Sequence, residues 1–263
     1  MQNPYQAPQS VAHTRILGRA WHAKPSVRTD LKTVWGWLTR SWGMLFGISM
    51  GFSLISTVLG GLCVAWLPKF VGAMLTMVIS ASVGLVIAAA AIRVVLDHED
   101  GRELAVGRAV QFGLSHFGVL IVPVALRYLL GVIAAMFALF PIALVHGRLI
   151  SIEAMSILGV QDPTKTVFGG AWELGAGDTL SCAGSWFALY FPIMLVSGLM
   201  GLASLAFMES ELPFWTATAL TLPNGLLVGS LSMLPPLGGL ARLLSVRHAA
   251  GQETEYRWRL MED

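Results

Sequence analysis

The sequence predicts an all-α integral membrane protein with about six transmembrane helices, arranged as three pseudo-repeated hairpins. Hydrophobic residues make up 55% of the 263 residues and charged residues only 12%. Soluble domains usually carry about twice that charged fraction. Several apolar runs also exceed the roughly 18 residues needed to cross a hydrocarbon core. Runs of this length are difficult to place in a water-soluble fold, so we expect a multi-pass membrane protein.

The apolar runs divide into six predicted spans, which are 44–66, 71–96, 117–137, 141–158, 184–207 and 216–244. The third and fourth share one apolar stretch, which we divide at Pro141 because proline suits the first turn of a new helix. Without this division the chain has five spans and its C-terminus changes sides. The segment before the first span is polar and basic, so we expect no cleavable signal peptide.

The positions of Lys and Arg predict the orientation. Of the 17 such residues, Lys69 falls on one side, Arg127 and Arg148 fall inside spans, and the remainder fall on or near the other side. The positive-inside rule places that richer side in the cytoplasm, where anionic lipid headgroups are the expected partner and nucleic acid is not.

This orientation divides the chain into three parts. Residues 1–28 are a disordered cytoplasmic tail, 29–248 the membrane domain and 249–263 a cytoplasmic C-terminal tail. Cys63 and Cys182 fall on opposite sides, which argues against a disulfide.

A short amphipathic segment precedes each odd-numbered span. The predicted apolar stripes are Leu31, Val34, Trp35, Leu38 and Trp42 in the first segment, Leu104, Ala105, Ala109 and Phe112 in the second, and Val167, Phe168, Ala171 and Trp172 in the third. We expect these three segments to lie as helices in the inner headgroup layer, with soluble connecting helices as the alternative. Asp30 is a candidate N-cap for the first segment, and Asp162 followed by Pro163 is the expected start of the third. Tryptophan prefers the membrane interface, which predicts four interfacial anchors: Trp35, Trp37, Trp42 and Trp172.

Each even-numbered span carries an arginine toward its inner half, namely Arg93, Arg148 and Arg242. The repeated unit is therefore an amphipathic helix, a span outward and a span back that contains an arginine. We expect Arg93 and Arg242 to extend their side chains to the cytoplasmic headgroups. Arg148 differs because it falls in the middle of its span.

Residues 139–180 read "LFPIALVHGRLISIEAMSILGVQDPTKTVFGGAWELGAGDTL". This stretch resembles a bacterial multi-pass membrane family that includes the membrane domain attached to some glycerophosphodiester phosphodiesterases. Pro141, Arg148, Glu153 and "GGAWEL" occupy the places of the family pattern, although Ala171 stands where that pattern has serine. The resemblance implies a helical protein of the bacterial inner membrane and does not imply phosphodiesterase activity.

The N-terminal "MQNPYQAPQ" resembles a short tag found on many unrelated bacterial membrane proteins. It is a proline-interrupted, glutamine-rich segment that we expect to be disordered. One reading is a linear peptide that docks into a partner's groove through Asn3, Pro4, Tyr5 and Gln6. The other is an inert tail.

No catalytic constellation emerges from the sequence, so we expect no enzyme, no cofactor and no metal site. "GAGD" at 175–178 matches the motif of intramembrane aspartyl proteases, but such enzymes need a second carboxylate from another span and no predicted span contains Asp. Metal-binding His and Cys spacings and a Walker motif are also missing. The acidic group 97–100, "DHED", is either a weak cation site or, as we expect, a solvated loop.

The most informative polar residues lie inside the spans. Arg127 is about 15 Å deep by helical rise, and Glu153 reaches a comparable depth from the other direction. An unpaired arginine at this depth costs at least about 3 kcal/mol, so we predict that Arg127 pairs with Glu153. With Arg148 roughly 7 Å further out, these residues form a candidate polar site. An ion pair that holds two helices, a site for a headgroup or proton, and a charge awaiting a partner subunit remain open readings.

The sixth predicted span is rich in Pro and Gly. Such residues break or kink helices, and discontinuous spans often line cavities in transporters. The alternative is a half-helix ending at Leu222, followed by a short span.

Because the sequence offers no catalytic constellation, we favour a non-enzymatic membrane accessory or scaffold subunit that contacts lipid and a protein partner. A small transporter or lipid-handling protein that uses Arg127, Arg148 and Glu153 is the alternative.

Overall fold

A computed structural model describes residues 25–103, 105–136, 139–158, 166–208 and 214–249, which form ten helices and no strand. The candidate docking residues 3–6 and the tail 250–263 lie outside these ranges. The helices are α1 Val27–Trp66, α2 Lys69–Glu99, α3 Val106–Ser115, α4 Phe117–Ala135, α5 Leu139–Arg148, α6 Ile152–Leu158, α7 Val167–Ala176, α8 Thr179–Met208, α9 Phe214–Leu231 and α10 Leu234–Ala249.

Six stretches within the described ranges are long and apolar enough to cross a membrane. They are Val27–Cys63, Phe70–Glu99, Phe117–Ala134, Pro141–Leu158, Thr179–Ser197 and Gly225–Arg247. Their number and order agree with the six spans predicted from the apolar runs. The division of the third and fourth spans is confirmed, because α4 ends at Ala135 and α5 begins at Leu139, which places Pro141 in its first turn.

The first amphipathic segment and the first span form one helix of 40 residues. Ser26 is its N-cap and accepts a hydrogen bond from the Thr29 backbone N–H at 3.2 Å, so the prediction that Asp30 caps this helix is wrong. Ser41 has non-helical φ and ψ angles of −118° and 20°. The helix is therefore kinked close to the predicted boundary between amphipathic segment and span.

The buried face of the amphipathic part of α1 differs from the predicted stripe. Val34, Trp37 and Leu38 are buried, whereas Trp35 and Trp42 are 68% and 52% exposed. The side chain of Trp37 is thus part of the protein core, although we predicted an interfacial anchor at this position. Trp35 and Trp42 retain the exposure that such an anchor requires.

The other two amphipathic segments fold as the short helices α3 and α7. Ala109 and Phe112 of α3 are buried in the protein core. Helix α7 starts after Thr166, whose hydroxyl accepts a hydrogen bond from the Gly169 N–H at 3.1 Å. The predicted cap Asp162 lies outside the described residues. In α7 the predicted stripe packs against the core through Val167, Phe168, Ala171 and Trp172.

Both the fourth and the sixth spans are interrupted. The fourth consists of α5 and α6, separated at residues 149–151, and the sixth consists of α9 and α10, separated at 232–233. The second interruption precedes Pro235 and Pro236, which lack the N–H groups that would bond carbonyls at the end of α9. Helix α9 continues through Pro223, so the alternative of a half-helix ending at Leu222 is wrong.

The interruption of the fourth span is in close backbone contact with α10. The Ser151 hydroxyl donates to the Gly239 carbonyl at 3.0 Å. A methyl group on Gly239 would overlap the Ile150 carbonyl, so this approach of α10 requires glycine. The interrupted segments therefore pack tightly against each other.

The described core lies toward one end of the bundle. Its members are concentrated at 86–96, 149–158 and 233–245, in the later halves of the even-numbered spans. At the opposite end, around the connection between α1 and α2, Trp66 and Phe70 are 82% and 76% exposed. An apolar surface of this kind is typical of a lipid-facing protein, because it would be a liability in water.

Candidate intramembrane polar site and buried arginine pairs

Arg127 and Glu153 form an ion pair inside the bundle. The Arg127 Nη2 atom lies 2.5 Å from Glu153 Oε1, and their side chains are only 8% and 2% exposed. Arg127 lies in the middle of α4, and Glu153 lies in the first turn of α6, directly after the interruption of the fourth span. The pairing predicted from their depth is confirmed.

The ion pair leaves part of each group unused. Arg127 Nε and Glu153 Oε2 are both buried, and neither has a hydrogen-bond partner among the described residues. An arginine often binds a carboxylate through two parallel N–H···O bonds, whereas the contact here joins one nitrogen to one oxygen. A buried donor or acceptor without a partner costs about 1–3 kcal/mol, so these two atoms favour an additional ligand or water.

Aromatic side chains surround the pair. The Arg127 Cζ atom lies 5.3 Å from the ring centroid of Tyr128. His146 of α5 is buried, stacks on Trp186 at 4.9 Å and meets Tyr128 edge-on at 6.0 Å, while Trp186 stacks on Tyr190 at 5.0 Å. The sequence reasoning missed His146, although a histidine within an apolar run was a usable signal.

Arg148 does not join this pair. Its Nε donates to the Thr179 hydroxyl at 3.1 Å, and its Cζ lies 4.7 Å from the ring centroid of Trp172. Both partners belong to the region where α7 leads into α8. The predicted three-residue site therefore consists of an Arg127–Glu153 pair and a separate Arg148 contact.

Arg242 is held by the most extensive polar network described. Its side chain is 1% exposed, and its Nε and Nη2 atoms lie 2.9 and 2.7 Å from Asp30 Oδ2. Nη2 also donates to Ser181 and Ser185, and Ser185 donates to the same Asp30 oxygen at 2.6 Å. The expectation that Arg242 extends to the headgroups is wrong, because the start of α1 brings a buried carboxylate to it.

Arg93 is also buried within the protein rather than extended to lipid. Its Nε lies 3.0 Å from Asp97 Oδ1, and its Cζ lies 5.1 Å from the ring centroid of Phe112. Both side chains of the ion pair are about 5% exposed. The helix brings these residues together because they are one turn apart.

The acidic group 97–100 is not the solvated loop that the sequence suggested. Helix α2 extends through Glu99, which is 9% exposed and accepts a hydrogen bond from Trp37 Nε1 at 2.8 Å. Arg40 lies 3.8 Å from the same carboxylate. The end of α2 is therefore attached to the amphipathic part of α1. Within the described ranges, no group of three His, Cys, Asp or Glu side chains is placed to hold a metal ion.

Asp178 of "GAGD" takes part in the Arg242 network. Its Oδ2 lies 3.6 Å from Arg242 Nη1, and its Oδ1 accepts a hydrogen bond from the Ser181 N–H at 3.3 Å. Asp30 and Asp178 thus contact one guanidinium between them. Carboxylates of an aspartyl protease instead share a proton and face a water molecule. This geometry gives no support to the protease reading.

The two cysteines, Cys63 and Cys182, are both free thiols.

Comparisons with protein-family models, curated proteins and solved structures find no match for this chain. The resemblance of residues 139–180 to the phosphodiesterase-associated membrane domain therefore stays a prediction.

Proposed function

We propose that this protein is a non-enzymatic accessory or scaffold subunit of the bacterial inner membrane, which contacts lipid and a protein partner. The main support is that the buried arginines Arg93, Arg127 and Arg242 each meet a carboxylate of the same chain. The Arg127–Glu153 and Arg242–Asp30 pairs join different helices, and the Arg93–Asp97 pair lies within α2. A protein built in this way presents a stable bundle rather than a reaction centre.

The cation contacts also support three pseudo-repeated hairpins. Arg93 of the first hairpin lies over Phe112 of α3, and Arg148 of the second lies over Trp172 of α7. Each arginine thus meets the amphipathic segment that follows it. In the third hairpin Arg242 meets Asp30, at the start of the first amphipathic segment. The contacts run around the bundle and join its last hairpin to its first.

We place both termini in the cytoplasm, where the partner would meet the protein. The charge bias supports this orientation, and the exposed Trp35 and Trp42 give the same face residues suited to the membrane interface. The N-terminal peptide with Tyr5 at its centre is the segment we propose for docking. No cofactor or metal is part of this proposal.

Site-specific photocrosslinking tests the docking segment. A photoreactive phenylalanine analogue replaces Tyr5 in the full chain, expressed in its native membrane, and a matched variant carries it at His13 in the same tail. We expect one discrete protein adduct from position 5 and none of that mass from position 13. Identical weak adducts from both positions, or no adduct from position 5, would contradict docking through this peptide.

A small transporter or lipid-handling protein is the second candidate. It is favoured by the unpartnered Arg127 Nε and Glu153 Oε2 atoms, which lie beside one of two interrupted spans. Interrupted helices commonly surround the binding sites of secondary transporters. Arg148, with its own contacts to Thr179 and Trp172, stands apart from that site. The expected finding is a lipid or small molecule that copurifies with the protein and is lost from Arg127→Gln.

A further inference from the structure

The Arg127–Glu153 contact engages one of the two nitrogens on one edge of the guanidinium and one of the two carboxylate oxygens. A guanidinium presents Nε and Nη2 along one edge, and this edge matches the two oxygens of a carboxylate. Glu153 reaches Nη2 with one oxygen, while Nε and the second oxygen remain without a partner among the described residues. A bound carboxylate that contacts Nε would complete the donor edge.

We infer that Arg127 binds the carboxylate of an amphipathic ligand and that Glu153 takes up one proton when it does so. This inference rests on the second candidate function. Two carboxylates beside one guanidinium would leave a net negative charge in a low-dielectric interior, which strongly disfavours ionisation of both. Glu153 carries the added proton because its free Oε2 is available. The ligand binds as an anion, and Glu153 forms one O–H bond with a proton from the aqueous phase, where one O–H bond of hydronium breaks to leave water.

The surroundings indicate a ligand with an apolar body. His146, Trp186 and Tyr190 form a connected aromatic stack next to Tyr128. Tyr128 itself is 50% exposed on α4, as are its neighbours Leu126 and Leu129 at 42% and 57%. This exposed face offers an approach to the buried guanidinium from the hydrocarbon phase. A fatty acid has both the carboxylate and the apolar chain that this arrangement would accept.

Other charged groups near α6 are already engaged or exposed. Arg127 is the charged group that contacts Glu153, and Tyr128 and His146 are the titratable groups beside Arg127. Helices α2, α7 and α10 also pack against α6. They contribute Arg93 with Asp97, the exposed Glu173, and Arg242, which pairs with Asp30 of α1. Glu153 is thus the buried carboxylate closest to the unused edge of Arg127.

Infrared difference spectroscopy tests the inference on the full chain in nanodiscs of zwitterionic lipid. The probes are decanoate, which enters the bilayer, and acetate, which remains mainly in water, both labelled with carbon-13 at the carboxyl carbon. The label shifts the ligand bands away from those of the protein. We expect decanoate to bind as the carboxylate and to produce one unlabelled band of a protonated carboxylic acid. A response to acetate instead would assign the same chemistry to a water-soluble ligand.

Variants identify which carboxylate takes up the proton and which side chain binds the ligand. In Glu153→Gln the protonated-acid band should disappear, whereas it should persist in the control Glu173→Gln. Arg127→Lys should weaken decanoate binding about tenfold, because an ammonium lacks the two-nitrogen edge. The wild-type spectrum is decisive even if a buried variant fails to fold. Absence of binding by both probes, or binding without the acid band, would overturn the inference. If the inference fails, a neutral lipid that copurifies with the protein and is lost in Arg127→Gln would still support the lipid-handling function. Absence of any copurifying ligand would refute both the carboxylate inference and the lipid-handling function.

Discussion

Replacement of Asp30 by asparagine removes the charge that balances Arg242 while preserving the shape of the side chain. Arg242 is 1% exposed, and Asp30 accepts hydrogen bonds from its Nε and from Ser185 and lies 2.7 Å from its Nη2. Removal of one member of a buried ion pair typically destabilises a protein by about 3–5 kcal/mol, because the other charge stays buried. Asp178 lies 3.6 Å from Arg242 but is half exposed. We therefore expect a loss near the lower end, about 3 kcal/mol.

Three variants isolate this effect. The double variant Asp30→Asn/Arg242→Met removes the charge from both sides and should recover most of the lost stability, since apolar replacement of a buried pair is often nearly neutral. Arg40→Gln is the control, because Arg40 is 60% exposed and lies 3.8 Å from Glu99. Exposed pairs contribute at most about 1 kcal/mol.

The measurement is the free energy of unfolding in mixed micelles, obtained by titration with dodecyl sulfate and followed by circular dichroism. Equal changes for Asp30→Asn and Arg40→Gln would refute the structural role of the Asp30–Arg242 pair. A double variant as unstable as the Asp30 single variant would also refute it, because an unpaired buried charge could not then be the cause.

Two further predictions concern packing. Gly239→Ala should reduce the unfolding free energy by about 1–3 kcal/mol, because the added methyl group overlaps a backbone carbonyl of the other interrupted span. A methyl group added at Gly47 in α1 would have no atom within 4 Å, so Gly47→Ala should raise the unfolding free energy by up to about 1 kcal/mol. Equal changes for Gly239→Ala and Gly47→Ala would contradict the backbone contact at Gly239. Trp37→Phe should cost about 1–3 kcal/mol by removing the donor to a buried carboxylate. The exposed Trp35→Phe should change stability by less than about 0.5 kcal/mol, and thermal unfolding of the two side by side is the check.

The sequence was sufficient for those features that depend on local composition. Apolar run length gave the six spans, and Pro141 gave the separation of the third from the fourth. The cost of an unpaired charge in hydrocarbon led to the Arg127–Glu153 pair, because few carboxylates were available at that depth. These inferences need only the length and polarity of neighbouring residues.

The remaining features depend on tertiary contacts between distant segments. Asp30 and Arg242 are 212 residues apart, and only the docking of α1 on α10 brings them together. The place of Arg242 near the inner end of a predicted span therefore suggested a headgroup contact, whereas its partner is a buried aspartate. Trp37 was similarly assigned to the interface by residue type, whereas the packing of α1 against the end of α2 determines that it is buried. His146 was visible as a histidine within an apolar run, but its stack on Trp186 joins two separate helices that the sequence alone does not bring together.

Native mass spectrometry of the protein, extracted gently from its own membranes, tests the proposed accessory role most directly. The account predicts a protein partner in fixed stoichiometry with the full chain, and predicts its loss when residues 1–10 are deleted. A protein that carries no partner, but retains a lipid or carboxylate ligand that is lost in Arg127→Gln, would contradict the accessory role and favour transport or lipid handling.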